Sequence, residues 1–203
     1  VRYKGTKVVS VSPDYAESTT SSDAWLNVKA GTDAALAMAM GHVILKEYYI
    51  DKETPYFKEY AKEFTDMPFL VRVEDINGAV QPGRFLNAKD LGSKEDGADF
   101  QTVLIDETTN EIVVPNGTMG DRHTHPEKWN LRLENRNTGA KIDPRLSVFD
   151  QRQDVTVVKL PYFGDEEHEG VIERAIPTIT VQTVDGPVKV TTVYDLILAN
   201  YGI

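Results

Sequence analysis

Gly31-Thr32-Asp33 stands where a polar stretch gives way to apolar residues at helical spacing, and Ser12-Pro13-Asp14-Tyr15 closes a β-branched run. Each places a carboxylate at the end of an element. A carboxylate at the mouth of a helix has a specific chemical use, because its two oxygens accept the paired N1–H and N2–H donors on the edge of guanine, a pattern adenine does not present. In an open α/β sheet, ligands bind beyond the carboxyl ends of the strands, where helix N-termini offer amides to anions. A plainer reading suits the same residues and is favoured on spacing alone: Thr32 is an N-cap, Asp33 complements the helix dipole, and Gly31 permits a tight turn. Neither GxGxxG nor GxxxxGK[ST] occurs, so an ordinary NAD or ATP site lacks support.

His123-Thr124-His125 with Glu127 would face one way on an extended strand and could ligate a divalent metal. An exposed polar loop without metal is the expectation, because a spacing of two on an irregular segment is a weak ligand signal. His42 falls in the middle of the long helix and His168 in an acidic run, and neither reads as a catalytic base. No serine sits in a G-x-S-x-G elbow. There is no cysteine, which removes disulfides, thiolate chemistry and any cysteine-ligated zinc or iron-sulfur centre from these residues. No catalytic or metal-ligating residue is assigned.

The elements that position the candidates follow from pattern. Residues 7–12 read as a strand buried on both faces, as in a parallel sheet, and residues 25–28 as a second short strand. From Thr32, the apolar residues Leu36, Met40, Val43 and Ile44 predict a helix to about Tyr49 that could cover one face of a sheet. Thr54 and Pro55 open a second helix over residues 55–64. Beyond Pro68 the pattern changes to short strands and turns: 69–73 and 80–85 around Asn77-Gly78, 101–105 and 111–114 around residues 106–110, then 155–160, 178–183 and 188–190. Residues 87–97 read as a helical turn and a loop, and residues 115–150 as long surface excursions. Thr192 caps a last helix that Gly202 closes. The fold class is α/β, α+β in its second half: a Rossmann-like partial sheet with helices over residues 1–67, then short, mostly antiparallel strands and long loops over 68–203.

The formal net charge of −10 repels a phosphodiester backbone, and with no basic patch to override it nucleic acid is not an expected partner. The acidic residues are scattered and read as a solvated surface. The apolar run at 34–45 is broken by Gly41 and His42 and is too short to span a bilayer. No leader or cleavage site is legible. The chain opens almost at once into a buried-type strand and closes on a helix whose Leu196, Ile197 and Tyr201 need a partner surface, so an internal piece of a longer protein is expected.

Ser12-Pro13-Asp14-Tyr15-Ala16-Glu17, Asp23-Ala24-Trp25-Leu26 and the run from Gly31 to His42 resemble a molybdopterin oxidoreductase of the dimethyl-sulfoxide-reductase family. Lys4-Gly5-Thr6-Lys7, the stretch 160–164 and the stretch 191–202 resemble one branch of it, the catalytic subunits of membrane-bound respiratory nitrate reductases. The resemblance implies a bis(molybdopterin guanine dinucleotide) molybdenum cofactor between α/β domains. Carried over, Ser12, Pro13 and Asp14 border the ribose or guanine, Gly31 and Asp33 contact the base, and Lys29 lies beside the pocket. Many members carry Asp-Pro where this chain has Ser12-Pro13. The resemblance also implies an iron-sulfur cluster outside these residues, nitrate as substrate, and an iron-sulfur beta subunit. A haem-bearing membrane gamma subunit and a place at the cytoplasmic face of the bacterial membrane complete the implied complex, with the 203 residues inactive by themselves. Two alternatives remain at this point: a free-standing module that binds a partner protein through its acidic surface or loops, and a related reductase of chlorate, perchlorate or selenate.

Overall fold

The computed structural model describes residues 2–117, 132–161 and 170–203. The candidate ligands His123, His125 and Glu127, together with His168, lie outside the described residues. The chain divides into two compact units, Val1–Glu47 and Tyr48–Ile203.

In the first unit, β1 (Val9–Val11) and β2 (Ala24–Leu26) pair in parallel, Val9 opposite Ala24 and Val11 opposite Leu26. Parallel neighbours need a crossover, and here it carries the short helix α1 (Glu17–Thr20). Thr19 of α1 is buried and its Oγ1 lies 3.1 Å from the Ser10 Oγ of β1, which ties the crossover to the strand. The expectation of burial on both faces is not met: Val9 and Val11 are exposed, because β1 has one neighbour within its unit. After β2 comes α2 (Asp33–Ile44), followed by a π-helical segment, Leu45–Asp51. None of the α2 side chains is buried.

The second unit is built on a five-stranded antiparallel sheet in the order β4-β3-β11-β10-β9. Its strands are β3 (Leu70–Ile76), β4 (Ala79–Phe85), β9 (Asp154–Pro161), β10 (Val171–Thr183) and β11 (Gly186–Thr192). The sheet curls so that β4 and β9, at opposite ends of the order, approach each other. The β3–β4 turn uses Asn77 at φ 57° and Gly78 at φ 80°, the two left-handed residues that match the twist of a two-residue hairpin. Two small hairpins lie beside the sheet, β5 (Leu104–Ile105) with β6 (Ile112–Val113), and β7 (Pro115–Asn116) with β8 (Arg132–Asn135). Helix α3 (Pro55–Phe64), predicted with the first segment, belongs to this unit, and α4 (Val193–Asn200) packs on β10 and β11.

One core forms around Leu70, Leu86, Val103, Val148 and Val190, and another around Val158, Leu160 and Ile176 with Leu196 and Ala199 of α4 packed against them. The surface excursion expected over residues 115–150 is overturned for part of its length. Ile142, Pro144, Leu146 and Val148 are all buried, and their alternation with Asp143, Arg145 and Ser147 is that of an extended segment with one face inward. Strand β10 is also longer than predicted. Pro177 is a nominal breaker, yet β10 pairs with β11 only over 179–183, so at Pro177 that side of the strand has no ladder to lose.

Candidate cofactor-binding site

Because β1 and β2 are parallel, their carboxyl ends finish side by side. The Ser12 amide donates to the Leu26 carbonyl at 3.2 Å, so the loop from Ser12 and the connection from Asn27 to Asp33 leave the strand pair at one edge. Within that loop the Ser12 hydroxyl donates to Asp14 Oδ1 at 3.0 Å and lies 3.4 Å from the Asp14 amide. Pro13 and Asp14 are exposed. The Trp25 indole Nε1–H donates to the Ser12 carbonyl at 2.9 Å, and the Tyr15 ring meets the indole edge-on with centroids 5.2 Å apart.

On the other arm, Gly31 has φ +82°, and a Cβ built there would meet nothing within 4 Å. It is a left-handed residue with open space beside its backbone. Thr32 occupies the N-cap position as predicted, but its side chain does not cap. Its hydroxyl donates backward to the Lys29 carbonyl at 2.6 Å, and its amide reaches the same oxygen at 3.1 Å, closing a turn at Lys29. Asp33 is the first residue of α2 and is exposed, as is Lys29. The structure thus sets Ser12, Pro13 and Asp14 at the strand-end edge and Lys29, Gly31 and Asp33 on the connection that leaves the same edge. An exposed carboxylate at a helix start, a left-handed glycine with clear space beside it and a strand-end loop form a donor and acceptor set that suits a guanosine group.

The Trp25 contacts with this loop were not legible, because they depend on the β1–β2 register. Three buried carboxylates were missed as well. Asp90 accepts two guanidinium bonds from Arg84, Asp106 accepts the Asp143 amide at 2.9 Å, and Asp195 is held in the first turn of α4. The spacing Thr192-x-x-Asp195 is a capping-box signature that would have found the last of these.

The second unit holds a cavity of about 500 Å³ lined in part by Tyr49, Lys62, Arg145, Phe149, Tyr194 and Asp195. Lys62 on its wall is paired with two carboxylates. Burial alone would depress the Lys62 ammonium, but hydrogen bonds to Asp143 at 2.6 Å and Glu107 at 2.9 Å outweigh it and hold the group above its ordinary value. Arg145 donates to Asn110 at 2.7 Å, and burial pushes the Tyr194 phenol well above its usual range. Among the described residues, no group of three or more His, Asp or Glu side chains is placed to hold a metal ion, and no helix is long and apolar enough to cross a membrane.

The family model for molybdopterin oxidoreductases matches residues 1–183. This chain belongs to the molybdopterin oxidoreductase family, which implies a molybdenum-pterin cofactor. Over its whole length it is 48% identical to the nitrate reductase alpha chain of Bacillus subtilis, of which it covers 16%, and 43% identical to the respiratory nitrate reductase 1 alpha chain of Escherichia coli, of which it covers 17%. It is 37% identical to the perchlorate reductase subunit alpha of Dechloromonas aromatica over 58% of this chain and 11% of that protein. The chain therefore spans about one sixth of the length of its nitrate reductase relatives.

Proposed function

We propose that this chain is part of the catalytic subunit of a respiratory nitrate reductase, and that Ser12, Pro13, Asp14, Lys29, Gly31 and Asp33 hold the guanosine end of a molybdopterin guanine dinucleotide. One observation carries the reading: the parallel β1–β2 pair delivers both the Ser12–Asp14 loop and the connection to Asp33 at a single edge, with Asp33 exposed at the first turn of α2. When bound, the cofactor supplies two-electron chemistry at molybdenum, taking nitrate to nitrite. The residues of this chain bind and orient. Asp33 accepts the two guanine donors, Ser12 and Asp14 border the ribose, Gly31 lets the backbone approach the base, and Lys29 stands beside it.

On this reading residues 1–67 are the Rossmann-like part of the dinucleotide domain and residues 68–203 its strand-and-loop region. Electrons arrive through an iron-sulfur cluster outside these residues, an iron-sulfur beta subunit and a haem-bearing gamma subunit at the cytoplasmic face of the membrane. The test is Asp33→Ala in the full-length subunit. Loss of one charge-assisted recognition pair lowers cofactor retention about tenfold or more, with little change in melting temperature. Normal molybdenum content in that variant refutes the assignment. The likeness to a perchlorate reductase alpha subunit supports a second reading, reduction of another oxyanion, and turnover of nitrate against perchlorate by the purified enzyme decides between the two.

A further inference from the structure

The Ser12–Tyr15 loop is held at both ends by one side chain. β1 finishes at Val11, so the Ser12 carbonyl lies beyond the ladder, and Pro13 brings no amide with which to turn the chain. A backbone carbonyl at that place takes its donor from a side chain or from water. Trp25 supplies it: its Nε1–H reaches the Ser12 carbonyl at 2.9 Å from the neighbouring strand, where Trp25 stands opposite Ser10. The same indole receives the Tyr15 ring edge-on at 5.2 Å and 78° between planes. Between these two anchors lie Pro13 and Asp14, and the Ser12 hydroxyl bonds the Asp14 carboxylate across that span.

We infer that Trp25 is a positioning residue for the guanosine loop: by pinning Ser12 and Tyr15 together it presets the Asp14 carboxylate before any nucleotide arrives. This rests on the cofactor reading above. The energetic route is preorganisation. A loop that samples other shapes binds in proportion to the fraction of time it spends in the competent one, so loss of the clamp appears as weaker retention and not as a lost ligand contact.

The experiment uses the full-length enzyme with three changes made separately: Trp25→Phe, which keeps an aromatic ring; replacement of Trp25 by 3-benzothienyl-alanine, which keeps the indole shape and exchanges N–H for sulfur; and Asp33→Ala. The readouts are the dissociation constant for guanine nucleotide added to the cofactor-free protein and the melting temperature of that protein. We expect both position-25 changes to weaken nucleotide binding about fivefold, the worth of one hydrogen bond, with cofactor-free melting lowered by about 2 °C or less. Wild-type affinity in the benzothienyl protein, alongside weakened binding in Asp33→Ala, overturns the positioning role and leaves the cofactor reading standing. Affinity falling only in step with cofactor-free melting makes Trp25 purely structural and likewise overturns the proposal. Wild-type affinity in Asp33→Ala removes the cofactor reading and this inference with it. If Trp25→Phe does not fold, the benzothienyl protein alone decides.

Discussion

Thr192 and Asp195 bond each other twice: the Thr192 hydroxyl donates to Asp195 Oδ2 at 2.8 Å and accepts the Asp195 amide at 3.1 Å. The carboxylate also accepts the Ser147 hydroxyl at 2.6 Å and the Val148 amide at 2.9 Å, so it fastens the first turn of α4 to the buried segment at 142–148. Asp195→Asn puts an amide group against these donors and costs about 2 kcal/mol, measured by urea unfolding. Burial raises the Asp195 carboxyl above 3.8, and its hydrogen bonds only partly oppose this. In the pH range between 3.8 and the raised folded value the native state holds the proton that the unfolded state has released, so stability from this group falls as pH rises. The gap between wild type and Asp195→Asn therefore narrows from pH 3.8 upward.

Asp90 behaves in the opposite sense. Arg84 donates to its two oxygens at 2.7 and 2.5 Å, Arg72 lies 3.3 Å away, and the Asn87 amide adds a bond at 3.1 Å. The Arg84 hydrogen bond leads in holding this carboxyl below 3.8, against its burial. Its contribution is present above pH 3.8 and is lost as pH falls through the folded value. Asp90→Ala is expected to destabilise by about 2 kcal/mol at pH 7, by denaturant titration, and the difference shrinks on acidification.

Gly83 is a site of close approach. A Cβ there would collide with the Glu74 carboxylate, and Glu74 Oε1 lies 2.7 Å from Arg72 Nε. Gly83→Ala pushes the flexible carboxylate away from Arg72 and costs about 1 kcal/mol. Adding Glu74→Ala removes the clash, so a double-mutant cycle returns a favourable coupling energy of similar size.

Ile176 is fully buried among Val158, Leu160 and Ala199, with Leu196 of α4 packed on the same cluster. Ile176→Ala leaves a cavity beneath that helix and is expected to cost about 3 kcal/mol by thermal unfolding.

Much of this was legible in the sequence where a local signal sufficed. Pro55 at the first helical position set α3 to the residue, and Asn77-Gly78 set the β3–β4 hairpin. The segment 142–148 escaped because Asp143-Pro144 reads as a turn, although every second residue from Ile142 is apolar or proline. β10 escaped through Pro177, whose tolerance depends on where pairing with β11 begins, a tertiary fact. At the candidate site the carboxylates and glycine could be named from type and position. The Trp25 clamp could not, since nothing in the residue order states that the indole faces the end of β1.

Helix α2 carries the last consequence. Met40, Val43 and Ile44 stand 54%, 48% and 43% exposed on a helix composed largely of Ala, Met, Val and Ile. A rod greasy around its whole circumference does not serve as an outer wall. Wherever this stretch of polypeptide works, other matter must embrace it from more than one side.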